Sequence, residues 1–278
     1  MFKRILALLF AINLILIVIA FSADHERGFI VRFFDVGQGD AIYIRTEKKQ
    51  DILIDGGPDD TVLSKLGEAM PFYDRDIDIL IISHPHADHI TGALAVLKQY
   101  RVKTVYFSGA EHTTYQYLEL LRFLEERKEI VKVKVDHPIN LQLSGETALS
   151  FLYPDFDVSS PLAPSFIKNN LNNTSVVVKL THKGHSALLT GDIGKEVEEY
   201  MLLQGVDVSA HLLKIAHQGS RFSSGEPFLR AVHPQFAVIF VGQNNYGHPH
   251  AETLDRLRSL GIKFLRTDKE GDIEFSLE

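Results

Sequence analysis

Residues 83–89 read Ser-His-Pro-His-Ala-Asp-His and directly follow the mainly apolar run 77–82. Such a run is typical of a buried strand, so the polar side chains that follow it are held at a rigid edge. Neutral imidazole and carboxylate groups are ligands that zinc and other divalent metals prefer. A single histidine here would be typical of a solvated loop. Three histidines and a carboxylate at this spacing instead predict a metal site formed by His84, His86, Asp88 and His89.

The alternation of these ligands indicates two metals rather than one. We expect His84 and His86 to bind one ion, and Asp88 and His89 to bind the other. Asp192 follows an apolar strand and a Thr-Gly turn, and we predict that its carboxylate bridges the two ions. His217, just past another predicted strand, completes the ligand set. Taken alone, Asp192 and His217 would be typical of a capping residue and a surface loop.

The order of predicted elements indicates two sheets. Period-two and short apolar patterns predict strands, and apolar residues at helical spacing predict helices. Each half of the chain runs from a hairpin through further strands to helices. We therefore expect an α+β or α/β fold in which two sheets pack together with helices outside, and a metal site along the edge where loops from both halves meet. The main predicted strands are 29–34, 41–45, 51–54, 76–82, 102–107, 131–135, 148–152, 176–180, 186–192, 212–216 and 236–241, and the main helices are 61–70, 90–97, 113–128, 193–203, 226–232 and 251–260.

The first 23 residues have the pattern of an export signal. A basic start with Lys3 and Arg4 precedes an apolar run, 5–21, that only Asn13 interrupts. We predict a signal peptide or an uncleaved signal anchor over 1–23, an N-terminal hydrophobic helix, with 24–278 forming one domain outside the cytoplasm, anchored or secreted. The chain contains no cysteine, so neither disulfides nor thiolate zinc ligands are available to it.

Three turn aspartates and one proline-containing segment each allow two interpretations. Asp35, Asp40 and Asp55 lie in or beside glycine-containing turns, where carboxylates either cap the turn or support metal-binding histidines. The segment 153–171 contains three prolines and predicts an irregular loop near the active site rather than a linker, because strand pattern resumes at once.

These motifs together resemble the metallo-β-lactamase superfamily. The resemblance rests on His-x-His-x-Asp-His after a strand, on Thr-Gly-Asp, and on a late His-x-Gly-Ser. Within that superfamily, segments 35–41, 55–57, 83–92, 189–193, 214–220 and 246–250 resemble the C-terminal extracellular domain of ComEC-type DNA-uptake proteins. The resemblance implies an αββα four-layer sandwich and a two-metal hydrolase.

The sequence departs from the usual superfamily pattern at two points. Many members have a further metal-binding histidine before the Thr-Gly-Asp motif, whereas His112, His137, His182 and His185 lie in that interval outside any recognisable motif. Gln218 also stands where a second histidine usually follows His217.

The predicted chemistry is hydrolysis by a metal-activated water. Asp88 or Asp192 is expected to accept a proton, and His248 to contact a phosphate or protonate the leaving oxygen. Asn173, Ser220 and His250 are predicted substrate contacts. We expect two divalent ions, with zinc preferred and manganese as the alternative.

The sequence is consistent with three functions. The first is an exported phosphodiesterase or nuclease, with DNA as one candidate substrate. The second is a hydrolase of another ester or amide, such as a lactone, β-lactam or choline phosphoester. The net charge of −7 favours it, because it argues against a broad electrostatic grip on nucleic acid. The third is a metal-binding module without catalysis. We predict no protein partner, and a membrane contact only through an uncleaved N-terminal segment.

Overall fold

The computed structural model describes residues 9–10 and 28–276. Apart from residues 9 and 10, the predicted leader over 1–23 lies outside the described residues. In the part of the chain that is described, none of the helices combines the length and the apolar character needed to cross a bilayer.

The first half of the chain forms most of a seven-stranded mixed sheet. Its strands are β1 (Ile30–Phe33), β2 (Ile42–Arg45), β3 (Asp51–Ile54), β4 (Asp76–Ile82), β5 (Arg101–Phe107), β6 (Val131–Lys134) and β14 (Ile273–Ser276). They lie in the order β14-β1-β2-β3-β4-β5-β6, with β3 to β6 parallel. The isoleucine-rich β4 lies inside this sheet, as expected for a parallel strand covered on both faces.

The second half forms another seven-stranded mixed sheet. Its strands are β7 (Ile139–Gln142), β8 (Thr147–Tyr153), β9 (Val177–His182), β10 (His185–Leu189), β11 (Leu212–Lys214), β12 (Phe236–Ile239) and β13 (Lys263–Arg266). They lie in the order β13-β12-β11-β10-β9-β8-β7, and β10 to β13 are parallel. The two sheets therefore repeat one plan, with antiparallel strands leading into a parallel section.

Helices cover the outer faces of both sheets. They are α1 (Thr61–Ala69), α2 (Ala87–Gln99), α3 (Tyr115–Glu126), α4 (Ser165–Asn169), α5 (Lys195–Leu203), α6 (Glu226–Val232), α7 (Ala251–Ser259) and α8 (Thr267–Glu270). The segment 153–171, predicted as an irregular loop, includes α4 and leads into a 3₁₀ turn, Leu171–Thr174. The helix predicted over 90–97 extends further at both ends, since α2 begins at Ala87 and ends at Gln99.

Three apolar cores separate four layers. One lies between the sheets and includes Phe33, Ile44 and Phe151. A second packs the first sheet against α1 to α3, and a third packs the second sheet against α5 to α7. The predicted arrangement of two packed sheets with helices outside is confirmed for the described residues.

The parallel sections bring the predicted site residues to one edge. Asp55 follows β3 and His84 follows β4 in the first sheet, whereas Asp192 follows β10 and His217 follows β11 in the second. The sheets are joined at this edge, where Val176 N donates to Ser83 O at 2.9 Å. Carboxyl ends of parallel strands commonly carry sites, and here two such sets of ends meet.

Candidate metal centre

The histidine-rich segment turns directly from β4 into α2. His86 lies just before the helix, and Asp88 and His89 belong to its first turn, where a carboxylate is favoured by the helix dipole. His84 and His89 are buried, and their ring centroids are 4.2 Å apart. His84 Nε2 lies 3.0 Å from His86 Nδ1. The turn thus gathers the three imidazoles at one place.

Asp55 orients two of these side chains from behind. Its carboxylate accepts hydrogen bonds from Ser83 N at 2.8 Å, from Ser83 Oγ at 2.6 Å and from His89 Nδ1 at 2.8 Å. Because Ser83 Oγ donates its proton to Asp55, it accepts from His84 Nδ1, which lies 3.0 Å away. Nε2 of both histidines therefore remains as the ligand atom. Pairing of a carboxylate with the far nitrogen is typical of metal-binding histidines.

A close backbone contact holds the Asp55 turn against α2. Gly92 in α2 packs on Gly56 so tightly that an added Cβ would overlap the carbonyl oxygen of Gly56. Gly56 N also donates to His89 O at 2.8 Å. These contacts set the distance between Asp55 and His89, and they explain why glycine is required at both positions.

Of the three turn aspartates, only Asp55 contacts these histidines by a hydrogen bond. Asp35 Oδ1 accepts from Gly37 N at 3.3 Å, which is turn capping. Asp40 is buried and forms an ion pair with Lys214. The two interpretations of these aspartates thus apply to different residues: capping to Asp35 and support of the histidines to Asp55.

Asp192 is fixed by a buried lysine and an amide. Lys214 Nζ lies 3.2 Å from Asp192 Oδ1 and donates to Gly191 O at 2.6 Å. Gln218 Nε2 lies 3.1 and 3.0 Å from the two carboxylate oxygens of Asp192. Burial alone would raise the pKa of Asp192, but the charges of Lys214 and His89 hold that pKa well below its usual value. Asp192 is therefore an anion that faces the histidines.

His89 Nε2 and Asp192 face one another across the two halves of the fold. His89 Nε2 lies 3.3 Å from Asp192 Oδ2 and 3.8 Å from Asp88 Oδ2. Among the described residues, this nitrogen is buried without a hydrogen bond of acceptable geometry. A buried imidazole nitrogen without a hydrogen bond has its lone pair available for a metal ion.

His217 and His248 form the other side of the site. His217 has the left-handed backbone values φ 51° and ψ 50°, and it lies 3.3 Å through Nε2 from Asn172 Nδ2. Its ring centroid is 5.1 Å from that of His248. Burial lowers the pKa of His248 to about 4, and within the described chain His248 Nδ1 is a further buried nitrogen without a hydrogen bond.

These groups surround one open cavity of about 360 Å³. It is lined by Gln38, His86, Ala87, Asp88, His112, Thr114, Asn172, Asp192, His217, Gln218, Tyr246 and His248. His84 and His89 are buried and do not belong to this lining. The predicted ligands from the two halves of the chain are therefore brought together around one space.

The donor set fits divalent metal ions. Ligand atoms of His84, His89 and Asp192 all lie within 4.8 Å of one another. Burial lowers the pKa of His84 well below its usual value and also lowers that of His86, which keeps these two imidazoles neutral as metal binding requires. Burial would lower the pKa of His89 too, but the carboxylates of Asp192, Asp88 and Asp55 raise it well above its usual value, so a metal ion bound there would displace a proton. Imidazole and carboxylate donors without thiolate suit zinc or manganese.

The three predicted substrate contacts lie outside the cavity wall. Asn173 is buried, donates to Phe166 O at 3.0 Å and accepts from Gly194 N at 2.9 Å, so both ends of its amide bind backbone. Ser220 is buried, and its Oγ accepts from Phe222 N at 3.3 Å. His250 precedes α7 and donates through its backbone N to Gly219 O at 3.0 Å.

The sequence pattern does not predict several residues of the site. Asn172, the neighbour of Asn173, lines the cavity in its place, and His112 lies with its ring centroid 5.7 Å from that of His86. Lys214 looked like an ordinary strand residue. A lysine within the apolar run 212–216 was the one available signal, since a lysine is rarely buried unless it is paired.

Comparison with known proteins agrees with this architecture. Residues 34–154 match the model of the metallo-β-lactamase superfamily. ComE operon protein 3 of Bacillus subtilis (strain 168) is 32% identical over 266 residues, which cover 88% of this chain and 32% of that protein. Competence protein ComA of Neisseria gonorrhoeae is 30% identical over 268 residues, covering 92% of this chain and 33% of that protein. The chain thus spans about one third of the length of these curated relatives.

A solved structure shares the fold at low sequence identity. The diiron β-hydroxylase CmlA from Streptomyces venezuelae superposes with a TM-score of 0.56 at 14% identity, covering 90% of this chain and 54% of that one. At this identity the likeness concerns the fold alone. The matched family model and the two relatives lead to one conclusion: residues 34–154 belong to the metallo-β-lactamase superfamily, and the chain resembles part of competence proteins over most of its length.

Proposed function

We propose that the chain is a two-metal phosphodiesterase that acts outside the cytoplasm, with nucleic acid as its substrate class. The observation that carries the proposal is the convergence of ligand-type side chains from both sheets: His86, Asp88, Asp192 and His217 line one open cavity. The buried His84 and His89 have ligand atoms within 4.8 Å of that of Asp192. The superfamily implies a metal-dependent hydrolase in general. Similarity to competence proteins favours a phosphodiester among the bonds that such a site can cut.

The proposed ligand division follows the alternation of ligand-type residues along 84–89. His84 and His86 would hold one ion, and Asp88 and His89 the other. Asp192 would be the carboxylate shared by the ions and would bind through Oδ2, which faces His89, since Lys214 contacts its Oδ1. His217 would complete the set. Zinc is the preferred ion and manganese the alternative.

The reaction would use the ions and the residues around them for different tasks. A pair of divalent ions supplies a water of lowered pKa and neutralises charge that develops on phosphoryl oxygens. Asp88 is partly exposed to the cavity and is placed to accept the proton of the attacking water. His248, a neutral imidazole at the cavity wall, is placed to donate a hydrogen bond to a phosphoryl or leaving oxygen. Asn172 adds an amide beside His217.

The surroundings of the enzyme are part of the proposal. The basic and then apolar pattern of residues 1–23 supports export, with the chain either anchored in the membrane through this segment or released. The partners would be a phosphodiester substrate, with DNA as the candidate polymer, and no further protein.

Hydrolysis of a different ester or amide is the second candidate. The observation in its favour is the net charge of −7, because proteins that hold nucleic acid by its phosphate backbone usually carry basic surfaces. A lactone, a β-lactam or a choline phosphoester needs no such surface.

A substrate panel on the full-length chain separates these functions. Metal-stripped protein is loaded with Zn²⁺ or Mn²⁺ and given bis(p-nitrophenyl) phosphate, single- and double-stranded DNA, a lactone and a β-lactam. We expect metal-dependent cleavage of the phosphodiesters. Preferred turnover of the lactone or β-lactam would replace the first proposal by the second. Stoichiometric metal binding without hydrolysis of any compound would identify a binding module.

A further inference from the structure

A buried amide oxygen at the cavity has no hydrogen-bond partner. Asn172 is 7% exposed and lines the cavity, and within the described chain its Oδ1 is buried without a hydrogen bond. A buried polar atom without a partner costs free energy, so its presence in a native fold calls for a physical explanation such as a bound ion. Two other such atoms, His89 Nε2 and His248 Nδ1, belong to the same site. Three unpaired atoms at one site point to a bound ligand.

The nitrogen end of the Asn172 amide rests on the ring of His217. Asn172 Nδ2 lies 3.4 Å from His217 Nδ1 and 3.3 Å from His217 Nε2. An atom that is almost equally far from both ring nitrogens lies over the face of the ring, because in the ring plane it would overlap a ring carbon. The in-plane lone pair of a neutral His217 therefore stays available to a metal ion. Asn172 Oδ1 is the end of the amide that is left without a contact of its own.

Hydrogen bonds fix Asn172 to the turn that carries Asp192. Asn172 N donates to Asn170 Oδ1 at 3.1 Å, and Asn172 O accepts from Ser175 Oγ at 2.7 Å. The same Ser175 Oγ accepts from Asp192 N at 3.0 Å. One hydroxyl thus joins the backbones of Asn172 and Asp192, so the amide is held at a fixed place relative to a proposed ligand.

His112, another residue of the cavity wall, is a poorer candidate for a ligand. His112 Nδ1 accepts from Thr114 N at 3.3 Å. The neutral imidazole therefore carries its proton on Nε2, which is then a hydrogen-bond donor rather than a ligand atom. An amide oxygen has no proton to lose, and carbonyl oxygens are established ligands of divalent ions.

We propose that Asn172 Oδ1 is a further metal ligand, in addition to the six residues named above. This inference rests on the metal centre of the proposed function and adds to it a neutral oxygen donor from the 3₁₀ turn Leu171–Thr174. Binding of an ion would give the buried oxygen the partner that it lacks within the described chain.

The test measures metal binding separately from catalysis. The metal-free, full-length chain is titrated with Zn²⁺ by calorimetry, and urea unfolding of each metal-free variant reports whether the fold depends on the amide. Asn172→Leu keeps the approximate shape of the side chain but removes both ends of the amide, whereas Asn172→Asp keeps an oxygen. Asn169→Leu is the matched control, because Asn169 is exposed at the end of α4.

We expect Asn172→Leu to weaken the binding of one Zn²⁺ equivalent by at least about 10-fold, because loss of a group that only orients a ligand already costs about 10- to 100-fold. Its metal-free form should be as stable as the wild type, since an apolar group of similar shape replaces an amide whose oxygen has no hydrogen bond. Asn172→Asp should bind Zn²⁺ at least as tightly as the wild type, because it retains an oxygen ligand. Asn169→Leu should change neither measurement.

The outcomes separate the ligand assignment from the proposed function. Wild-type zinc affinity in Asn172→Leu, or an equal loss of affinity in Asn172→Leu and Asn172→Asp, would overturn the assignment of Asn172 while the phosphodiesterase proposal stands. A wild type that binds two ions but cleaves no phosphodiester would overturn the proposed function and leave the ligand assignment in place. A wild type that binds no divalent ion would overturn both.

Discussion

Asp55 accepts a hydrogen bond of 2.8 Å from His89 Nδ1, and this contact directs His89 Nε2 toward Asp192, 3.3 Å away. Asp55 follows a strand of the first sheet, and Asp192 follows a strand of the second. The hydrogen bond from His89 to Asp55 therefore orients His89 Nε2 toward a carboxylate that follows a strand of the second sheet. The same carboxylate also holds Ser83, so its loss would disturb His84 as well.

Asp55→Asn should weaken metal binding without removing a ligand. The amide accepts less strongly than the carboxylate from His89 Nδ1, so the imidazole becomes a poorer and less well oriented ligand. We expect the metal dissociation constant to rise by about 10- to 100-fold. Calorimetric titration of the metal-free chain with Zn²⁺ measures it. Asp59→Asn, a change at a capping residue before α1, is the matched control. Equal affinities in the wild type and Asp55→Asn would contradict the supporting role.

His86→Ala should remove one ligand and most of the activity. We expect turnover of bis(p-nitrophenyl) phosphate to fall by more than about 100-fold, because loss of a residue that merely orients a ligand already costs about 10- to 100-fold. Metal analysis should show fewer ions bound per chain. The control is His137→Ala, since His137 is exposed and pairs with its neighbour Asp136. Wild-type turnover in His86→Ala would rule out the ligand assignment.

Lys214→Met should destabilise the metal-free protein. Lys214 is fully buried between Asp40 and Asp192, and methionine would leave two buried carboxylates without their cation. Breaking a buried ion pair from one side costs about 3–5 kcal/mol, and urea unfolding measures it.

Two further variants check this explanation. Lys179→Met should cost less than about 1 kcal/mol, because the partner of Lys179 is the exposed Asp207. Adding Asp40→Asn to Lys214→Met should restore part of the lost stability, because it removes one of the stranded charges. A Lys214→Met protein as stable as the wild type would show that the network does not need its cation.

Glu198 should make the folded state less stable as the pH rises. Burial raises the pKa of Glu198 from 4.5 to about 7, although Ser224 N and Gly225 N donate to its carboxylate. The native state thus holds this proton more tightly than the unfolded chain does. The resulting stabilisation is complete below pH 4.5 and is lost as the pH rises through 7, a change on the order of 3 kcal/mol.

Unfolding of Glu198→Gln isolates this contribution. Its free energy of unfolding, relative to that of the wild type, should be lower at pH 5 and should recover by pH 8, because glutamine does not titrate. Leu202→Ala, a change in the same groove between α5 and α6, should cost the same at both pH values, since no titrating group is altered. A pH-independent difference for Glu198→Gln would contradict the raised pKa.

Local patterns predicted most elements because periodicity reports which face of a strand or helix is buried. The main differences between the predicted and the observed elements concern where a helix begins and whether a short segment is helical. Asp88 and His89 were predicted as loop residues before a helix that begins at 90, yet α2 begins at Ala87, because its first turn accommodates a carboxylate well. The segment 153–171 was predicted as irregular, whereas residues 165–169 are helical.

The sequence by itself determined which strand precedes each polar turn along the chain. It also determined the types of metal ligand that are available and the resemblance to the superfamily. Each of these features follows from residues that are close together in the sequence. Only the tertiary structure decided that Lys214 lies between Asp40 and Asp192, that Gln218 binds Asp192, and that Asn172 rather than Asn173 faces the cavity. Each of these depends on the packing of one sheet against the other and on side-chain direction at a turn. Neither the distance between segments remote in sequence nor the direction of a side chain at an irregular turn is encoded by periodicity.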